Sequence, residues 1–146
     1  MAKKDKKPKT AVSLVLSKTP STEPFRDFNK LHPAWRIASL EMCDPYGWHE
    51  LEASKLDEIR ERLSHLEKLT WNEILILQKK WNHTVPTASL KKPARDRLTA
   101  LGLDASFDEI TSLRLNWKGR IWGFRIDGAM TLLWWDPNHD VWDDGT

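Results

Sequence analysis

The sequence contains little of what most recognisable classes of small protein require. Its 146 residues include one cysteine, Cys43, which excludes a disulfide framework and a cysteine-rich zinc site. No apolar run approaches the roughly 20 residues that a membrane-spanning helix needs. It also lacks a Walker loop, a dinucleotide fingerprint, a G-x-S-x-G elbow and an H-E-x-x-H zinc motif. Cys43 has no base close to it in the sequence, so we expect a small, buried, apolar role rather than a nucleophile.

Tryptophan is the residue type in excess: the chain has nine Trp, against one Tyr and four Phe. The hydrophobic fraction of 40% is too high for a wholly disordered chain. The length is typical of one domain that can bury its own core.

Positive charge is concentrated at the N-terminus. Residues 1–10 contain five Lys and one Asp, which leaves 18 of the 23 basic and 20 of the 21 acidic groups for the other residues. We therefore expect residues 1–31 to form a basic, largely flexible tail and lead-in, and residues 32–146 to form a single α+β domain. The apolar stretch 11–16 is shorter than the roughly 7–15 residues of a secretory signal core, so a cytoplasmic location and no membrane partner are expected.

Three segments have the apolar spacing or the terminal signals of helices. In residues 54–69, Leu and Ile recur every three or four positions and form one stripe. Thr70 and Glu73 form a capping box, which predicts a second helix over residues 70–81. Residues 92–101 begin near a proline and end at a glycine, which predicts a third helix.

From residue 110 onward the apolar period changes from helical to two, which predicts strands. We expect a three-stranded antiparallel meander, with strands near 113–117, 120–126 and 129–136. Asp127-Gly128 predicts a type I′ hairpin between the last two. Residues 34–42 partly alternate and predict an additional edge strand. The expected fold class is therefore α+β, with N-terminal helices packed on a small C-terminal antiparallel sheet.

Hairpin register then predicts which residues share a face. With Asp127-Gly128 as the loop, Trp122 should face Leu133 and Arg120 should face Trp135. Both faces of the hairpin are apolar. We expect one to contact the helices and the other to remain a half-open, Trp-rich surface.

The C-terminal segment also carries residues suited to nucleic-acid chemistry. Arg120 and Arg125 could hold phosphate through forked hydrogen bonds, and Trp135 or Trp142 could stack on a base. His139 could transfer a proton near neutral pH, with Asp136 or Asp140 orienting it. Together these would suit cleavage of RNA by its own 2′-hydroxyl, with no metal and no cofactor. The alternatives are that the Trp residues fill a core or an interface, that the Arg residues pair with carboxylates, and that His139 is a turn residue.

Residues 112–142 read S-L-R-L-N-W-K-G-R-I-W-G-F-R-I-D-G-A-M-T-L-L-W-W-D-P-N-H-D-V-W. Helices followed by this meander resemble the RelE/ParE toxin superfamily of prokaryotes. The resemblance implies a toxin with a partner antitoxin and, for RelE-like members, an endoribonuclease acting on mRNA at the ribosome. It also implies that Arg120 holds phosphate, that His139 is the acid/base, and that Arg114 and Lys118 are supporting cations.

Two other functions compete with this prediction. One is a non-enzymatic toxin or adaptor that binds a protein through the Trp-rich sheet and the N-terminal segment. The other is a plain nucleic-acid-binding protein that uses the Lys-rich tail.

Overall fold

The computed structural model describes residues 27–143, which form a five-stranded mixed sheet with helices packed on both faces. The strands are β1 (Ala34–Arg36), β2 (Asn82–Pro86), β3 (Glu109–Arg114), β4 (Arg120–Ile126) and β5 (Ala129–Asp136), in the order β1-β5-β4-β3-β2. The longer helices are α1 (Ala53–Leu66) and α2 (Lys92–Leu101). Most of the expected tail, including the stretch 11–16, lies outside the described residues. Within residues 27–143, no helix has both the length and the apolar character needed to cross a membrane.

The expected fold class is wrong in its architecture. The sheet has five strands rather than three, and helical segments alternate with strands along the chain instead of preceding them. The predicted edge strand exists only over Ala34–Arg36, and it pairs parallel with β5, so the sheet is mixed. Strand β2 was not predicted, because it is short, contains Pro86 and depends on long-range antiparallel pairing with β3.

The first and third predicted helices are present. Helix α1 covers Ala53–Leu66, slightly shorter than the predicted 54–69, and it buries Ile59 and Leu66. Helix α2 has the predicted bounds, Lys92–Leu101. It ends where Gly102 adopts a left-handed φ of 73°, which is the usual helix-terminating conformation of glycine.

The predicted second helix stops after little more than a turn. Its capping box is confirmed: the Thr70 N–H donates to Glu73 Oε1 at 2.8 Å, and the Glu73 N–H donates to Thr70 Oγ1 at 3.2 Å. A π-helical turn follows at Glu73–Leu77, and the chain then enters β2 at Asn82. The Asn82 side chain donates to the Ile74 carbonyl at 3.1 Å and replaces the next helical hydrogen bond. Sheet pairing thus overrides the local helical signal.

The hairpin between β4 and β5 is confirmed, but its turn type differs from the prediction. The pairing of the two strands also differs at the end away from the turn. Asp127 has a φ of 60°, whereas Gly128 does not have the positive φ that a type I′ turn requires. A bulge at Trp122/Gly123 pairs Trp122 with Trp134 and Arg120 with Asp136, one residue beyond the predicted partners. A one-residue shift moves each later side chain to the other face, so Trp134 and Trp135 exchange faces.

Within residues 27–143 both faces of the sheet are buried, and the hairpin does not leave the expected half-open Trp-rich surface. On one face, Trp122 and Trp134 pack with Leu98 of α2. On the other face, Ile121 and Trp135 pack with α1 and the π-helical turn. Trp122 and Trp134 have no exposed surface. These tryptophans form the core, and the docking surface proposed for the non-enzymatic alternative is absent from this sheet.

Candidate functional site

A cleft of about 690 Å³ lies where the β3–β4 turn meets β2 and the loop after β5. Five of the seven residues predicted as site residues line it, together with four that were not predicted. The lining residues are Lys80, His83, Arg114, Trp117, Lys118, Arg120, Asn138, His139 and Trp142. Four of these side chains are cationic, two are imidazoles, and none is a carboxylate. The cleft therefore has the charge expected of an anion-binding site.

Asn116 in the β3–β4 turn positions the two arginines. Its carbonyl accepts from Arg114 Nε at 2.9 Å and from Arg120 Nη1 at 3.2 Å. Its side-chain oxygen accepts from the backbone N–H of Gly119 at 2.7 Å and of Lys118 at 3.0 Å, which closes the turn. One residue thus fixes both guanidinium groups at the cleft before any ligand binds.

The cationic side chains differ in exposure. Arg120 is 5% exposed and also donates to the Gly119 carbonyl at 3.3 Å. Lys118 is exposed, and its ammonium lies 4.8 Å from the ring centre of Trp117, which is itself 72% exposed. Arg120 therefore forms the buried wall of the cleft, while Lys118 and Trp117 form its open rim.

His139 lies in a tight loop that a buried carboxylate holds together. Asp136 accepts from the backbone N–H of Asp140 at 2.8 Å and of Val141 at 3.1 Å, and from Trp122 Nε1 at 3.2 Å. Burial raises the pKa of Asp136 above its ordinary value, although these hydrogen bonds counteract part of the effect. His139 adopts a left-handed φ of 59° within this loop. Asp136 thus shapes the loop that carries His139.

The structure adds a second histidine that was not predicted. His83 lies on β2, and its ring centre is 5.4 Å from that of Trp142. It comes 56 positions before His139 and reaches the cleft only because β2 pairs with β3. No local motif marks it, so recognising it required knowledge of the sheet order.

Two predicted site residues lie elsewhere. Trp135 is on the opposite face, 7% exposed and packed against Trp48 with ring centres 6.5 Å apart. The bulge in the hairpin is the reason for this change of face. Arg125 lies over the ring of Trp71, 4.6 Å from its centre, and burial lowers its pKa. It lines a separate cavity of about 450 Å³.

A cluster of three side chains that could hold a metal ion lies away from the cleft. Among the described residues, Asp44, His49 and Glu50 have ligand atoms within 4.8 Å of one another, but all three are exposed. They belong to the loop between β1 and α1. Cys43 lies in the same loop, with its Sγ 3.7 Å from Glu41 Oε2. Its side chain is exposed, so the buried role expected for it is wrong.

Comparison with protein-family models, with curated proteins and with solved structures found no match for this chain. The resemblance to the RelE/ParE superfamily therefore stays a prediction, and the cleft itself is the basis for a functional assignment.

Proposed function

We propose that the chain is a metal-independent endoribonuclease whose cleft holds the scissile phosphate and moves protons through His83 and His139. The observation that carries this proposal is the convergence of two imidazoles and four cationic side chains, without a lining carboxylate, on one cleft. Phosphodiesters are anionic, and cleavage next to a 2′-hydroxyl needs one proton acceptor and one proton donor. Two histidines satisfy that requirement near neutral pH.

The reaction has a simple proton and bond balance. One imidazole accepts the proton of the 2′-hydroxyl while the 2′-oxygen forms a bond to phosphorus. The bond between phosphorus and the 5′-oxygen breaks, and the other imidazole, in its protonated form, donates a proton to that leaving oxygen. The products are a 2′,3′-cyclic phosphate and a 5′-hydroxyl. Arg114 and Arg120, preset by Asn116, would stabilise the additional negative charge on the phosphate oxygens.

The aromatic residues of the cleft support RNA rather than a free phosphate as the ligand. Trp117 is largely exposed, and Trp142 lies beside His83. Exposed rings beside cations are what proteins use to stack unpaired bases next to a neutralised backbone.

The test is cleavage of single-stranded RNA by the purified full chain in the presence of a metal chelator. The proposal predicts 2′,3′-cyclic phosphate ends, and a loss of about 10²–10⁴ in rate for His139→Ala and for His83→Ala. His65→Ala is the matched control, because His65 is an exposed histidine of α1 outside the cleft. Equal rates for all four proteins, or no cleavage by the wild type, would contradict the proposal.

We further propose that this activity makes the chain a cytoplasmic toxin that acts on mRNA, free or at the ribosome, and is neutralised by an antitoxin protein. The support is the resemblance of residues 112–142 to RelE-like toxins. Induced expression in a bacterial host should arrest growth and deplete full-length mRNA, and Arg120→Ala or His139→Ala should relieve both effects. Arrest with intact mRNA would favour the non-enzymatic alternative, in which a protein is the target.

A further inference from the structure

A second groove continues from the cleft along the start of β2. It has a volume of about 420 Å³ and is lined by Arg62, Leu77, Gln78, Lys79, Lys80 and Trp81. Lys80 lines both the groove and the cleft. The two concavities therefore adjoin at this side chain.

The boundary between groove and cleft is an aromatic ring with cations beside it. The Arg114 guanidinium lies 4.7 Å from the ring centre of Trp81, and that of Arg62 lies 6.0 Å from it. The Arg62 Nε also donates to the Arg114 carbonyl at 3.0 Å, which ties α1 to the end of β3. Trp81 is thus held in place by residues of both sites.

The groove exposes apolar surface that the fold leaves uncovered. Leu77 is 76% exposed and Trp81 is 45% exposed. Both follow from the early end of the second helical segment, where a π-helical turn leads directly into β2. Such turns are frequent at functional sites because they displace side chains from regular helical positions. The groove combines this apolar surface with three cationic side chains and no lining carboxylate.

We propose that the groove binds the unpaired nucleotides that flank the cleaved phosphate, so that the substrate is single-stranded RNA spanning several nucleotides. This inference rests on the proposed function of the cleft. An exposed Trp beside cations can stack a base and neutralise its phosphate, but only if the base is not stacked in a duplex. Continuity through Lys80 and the Trp81–Arg114 contact favours one extended ligand over a separate partner.

The experiment compares the affinity of the full chain for labelled 2′-O-methyl RNA of two lengths, a dinucleotide and an octanucleotide. These probes are not cleaved, because they have no free 2′-hydroxyl. The groove variants are Trp81→Ala and Lys79→Gln. Trp81→Phe preserves a ring, and Lys68→Gln is the control for an exposed lysine outside the groove. Circular dichroism confirms that each variant is folded.

The inference predicts that the wild type binds the octanucleotide at least tenfold more tightly than the dinucleotide. Trp81→Ala should weaken binding of the octanucleotide about tenfold and leave binding of the dinucleotide unchanged. Trp81→Phe should bind the octanucleotide almost as tightly as the wild type. Equal affinity of the wild type for both lengths would overturn the inference while leaving the function of the cleft intact. If Trp81→Ala lost the same affinity for both probes, the inference would also be overturned, because Trp81 would then act only by holding Arg114 in the cleft. No binding of either probe would contradict the inference and the RNA ligand of the cleft together.

Discussion

The interior of the sheet and the cleft use the same residue types for different purposes. In the interior, Trp122 and Trp134 have no exposed surface, and each indole N–H donates to a buried carboxylate, of Asp136 at 3.2 Å and of Glu41 at 2.8 Å. At the cleft and the groove, Trp117 and Trp81 are 72% and 45% exposed, and cations lie beside their rings. Residue type alone therefore does not separate a core tryptophan from an exposed one that lies beside cations.

Charge shows the same contrast. Arg97 reaches the interior carboxylate of Glu41, because its Nε donates to Glu41 Oε1 at 3.0 Å and its Nη2 donates to Glu41 Oε2. The residues that line the cleft include four cations and no carboxylate. The charge of Arg97 is therefore paired with a carboxylate in the interior, whereas the residues lining the cleft are a set of cations, imidazoles and aromatic rings.

The largest expected effect is on stability in the interior. Trp122→Ala should lower the free energy of unfolding by about 3–5 kcal/mol, since it leaves a large cavity and removes a donor from Asp136. Trp117→Ala should change it by less than about 0.5 kcal/mol, since that ring is mostly exposed. Denaturant unfolding measures both. A large loss of stability for Trp117→Ala would show that Trp117 also packs as an interior residue.

The next largest effect on stability is expected when Arg97, the cation that pairs with the buried carboxylate of Glu41, is removed. Arg97→Met should cost about 3 kcal/mol, because Glu41 is 8% exposed and would keep a buried charge without its partner. Burial alone would raise the pKa of Glu41, but hydrogen bonds from Arg97 and Trp134 hold it below its ordinary value.

The lowered pKa of Glu41 determines how the stability loss of Arg97→Met depends on pH. The stability from a lowered carboxyl pKa is fully present above the unfolded-state pKa and is lost as pH falls through the folded-state pKa. The difference in unfolding free energy between wild type and Arg97→Met should therefore shrink in acid. A difference that grew as pH fell would show that the pair does not act through the charge of Glu41.

The bulge that separates Trp134 from Trp135 can be tested at Gly123. A Cβ there would lie 2.2 Å from the Thr131 carbonyl oxygen, so backbone must move. Gly123→Ala should cost about 1–3 kcal/mol, as overpacking does, and should shift the melting temperature downward. Gly102→Ala, with nothing within 4 Å of the added Cβ, is a control that carries backbone strain alone. A neutral Gly123→Ala would contradict the close approach of β4 and β5.

The smallest expected effect is at the rim of the cleft. Lys118→Ala should leave stability unchanged and weaken RNA binding uniformly across sequences. The slope of log affinity against log salt should decrease by about 0.7, the value expected when one phosphate of a single strand is no longer neutralised. Binding at several salt concentrations measures it. An unchanged slope would show that Lys118 does not bind phosphate.

Local signals predicted local structure well. The capping box at Thr70, the glycine end of α2 and the bounds of β4 and β5 are all as predicted. Two local predictions were wrong: the turn type at Asp127-Gly128, and the strand expected near 113–117, which is β3 at Glu109–Arg114. The other errors concern interactions that no local pattern encodes. The bulge at Gly123 changed the face of Trp135, and the pairing of β2 with β3 ended a predicted helix.

The candidate site shows the same limit. Arg120, His139 and Trp142 were predicted from their chemistry in the C-terminal segment, and Arg114 and Lys118 from the resemblance of that segment to RelE-like toxins; all five line the cleft. His83 and Lys80 reach the cleft from β2 and the residues just before it, and only the sheet order brings them there. Arg125 follows Arg120 on the same strand, β4, yet it lies toward the other end of that strand at a different cavity.

The contrast between the interior and the cleft can be tested with the nine indole N–H signals of the protein, followed by NMR as single-stranded RNA is added. Each tryptophan reports separately, so one titration compares the interior with the cleft. We expect the signals of Trp81, Trp117 and Trp142 to shift and those of Trp71, Trp122 and Trp134 to stay in place. Shifts confined to the second group, or no shifts at all, would contradict it.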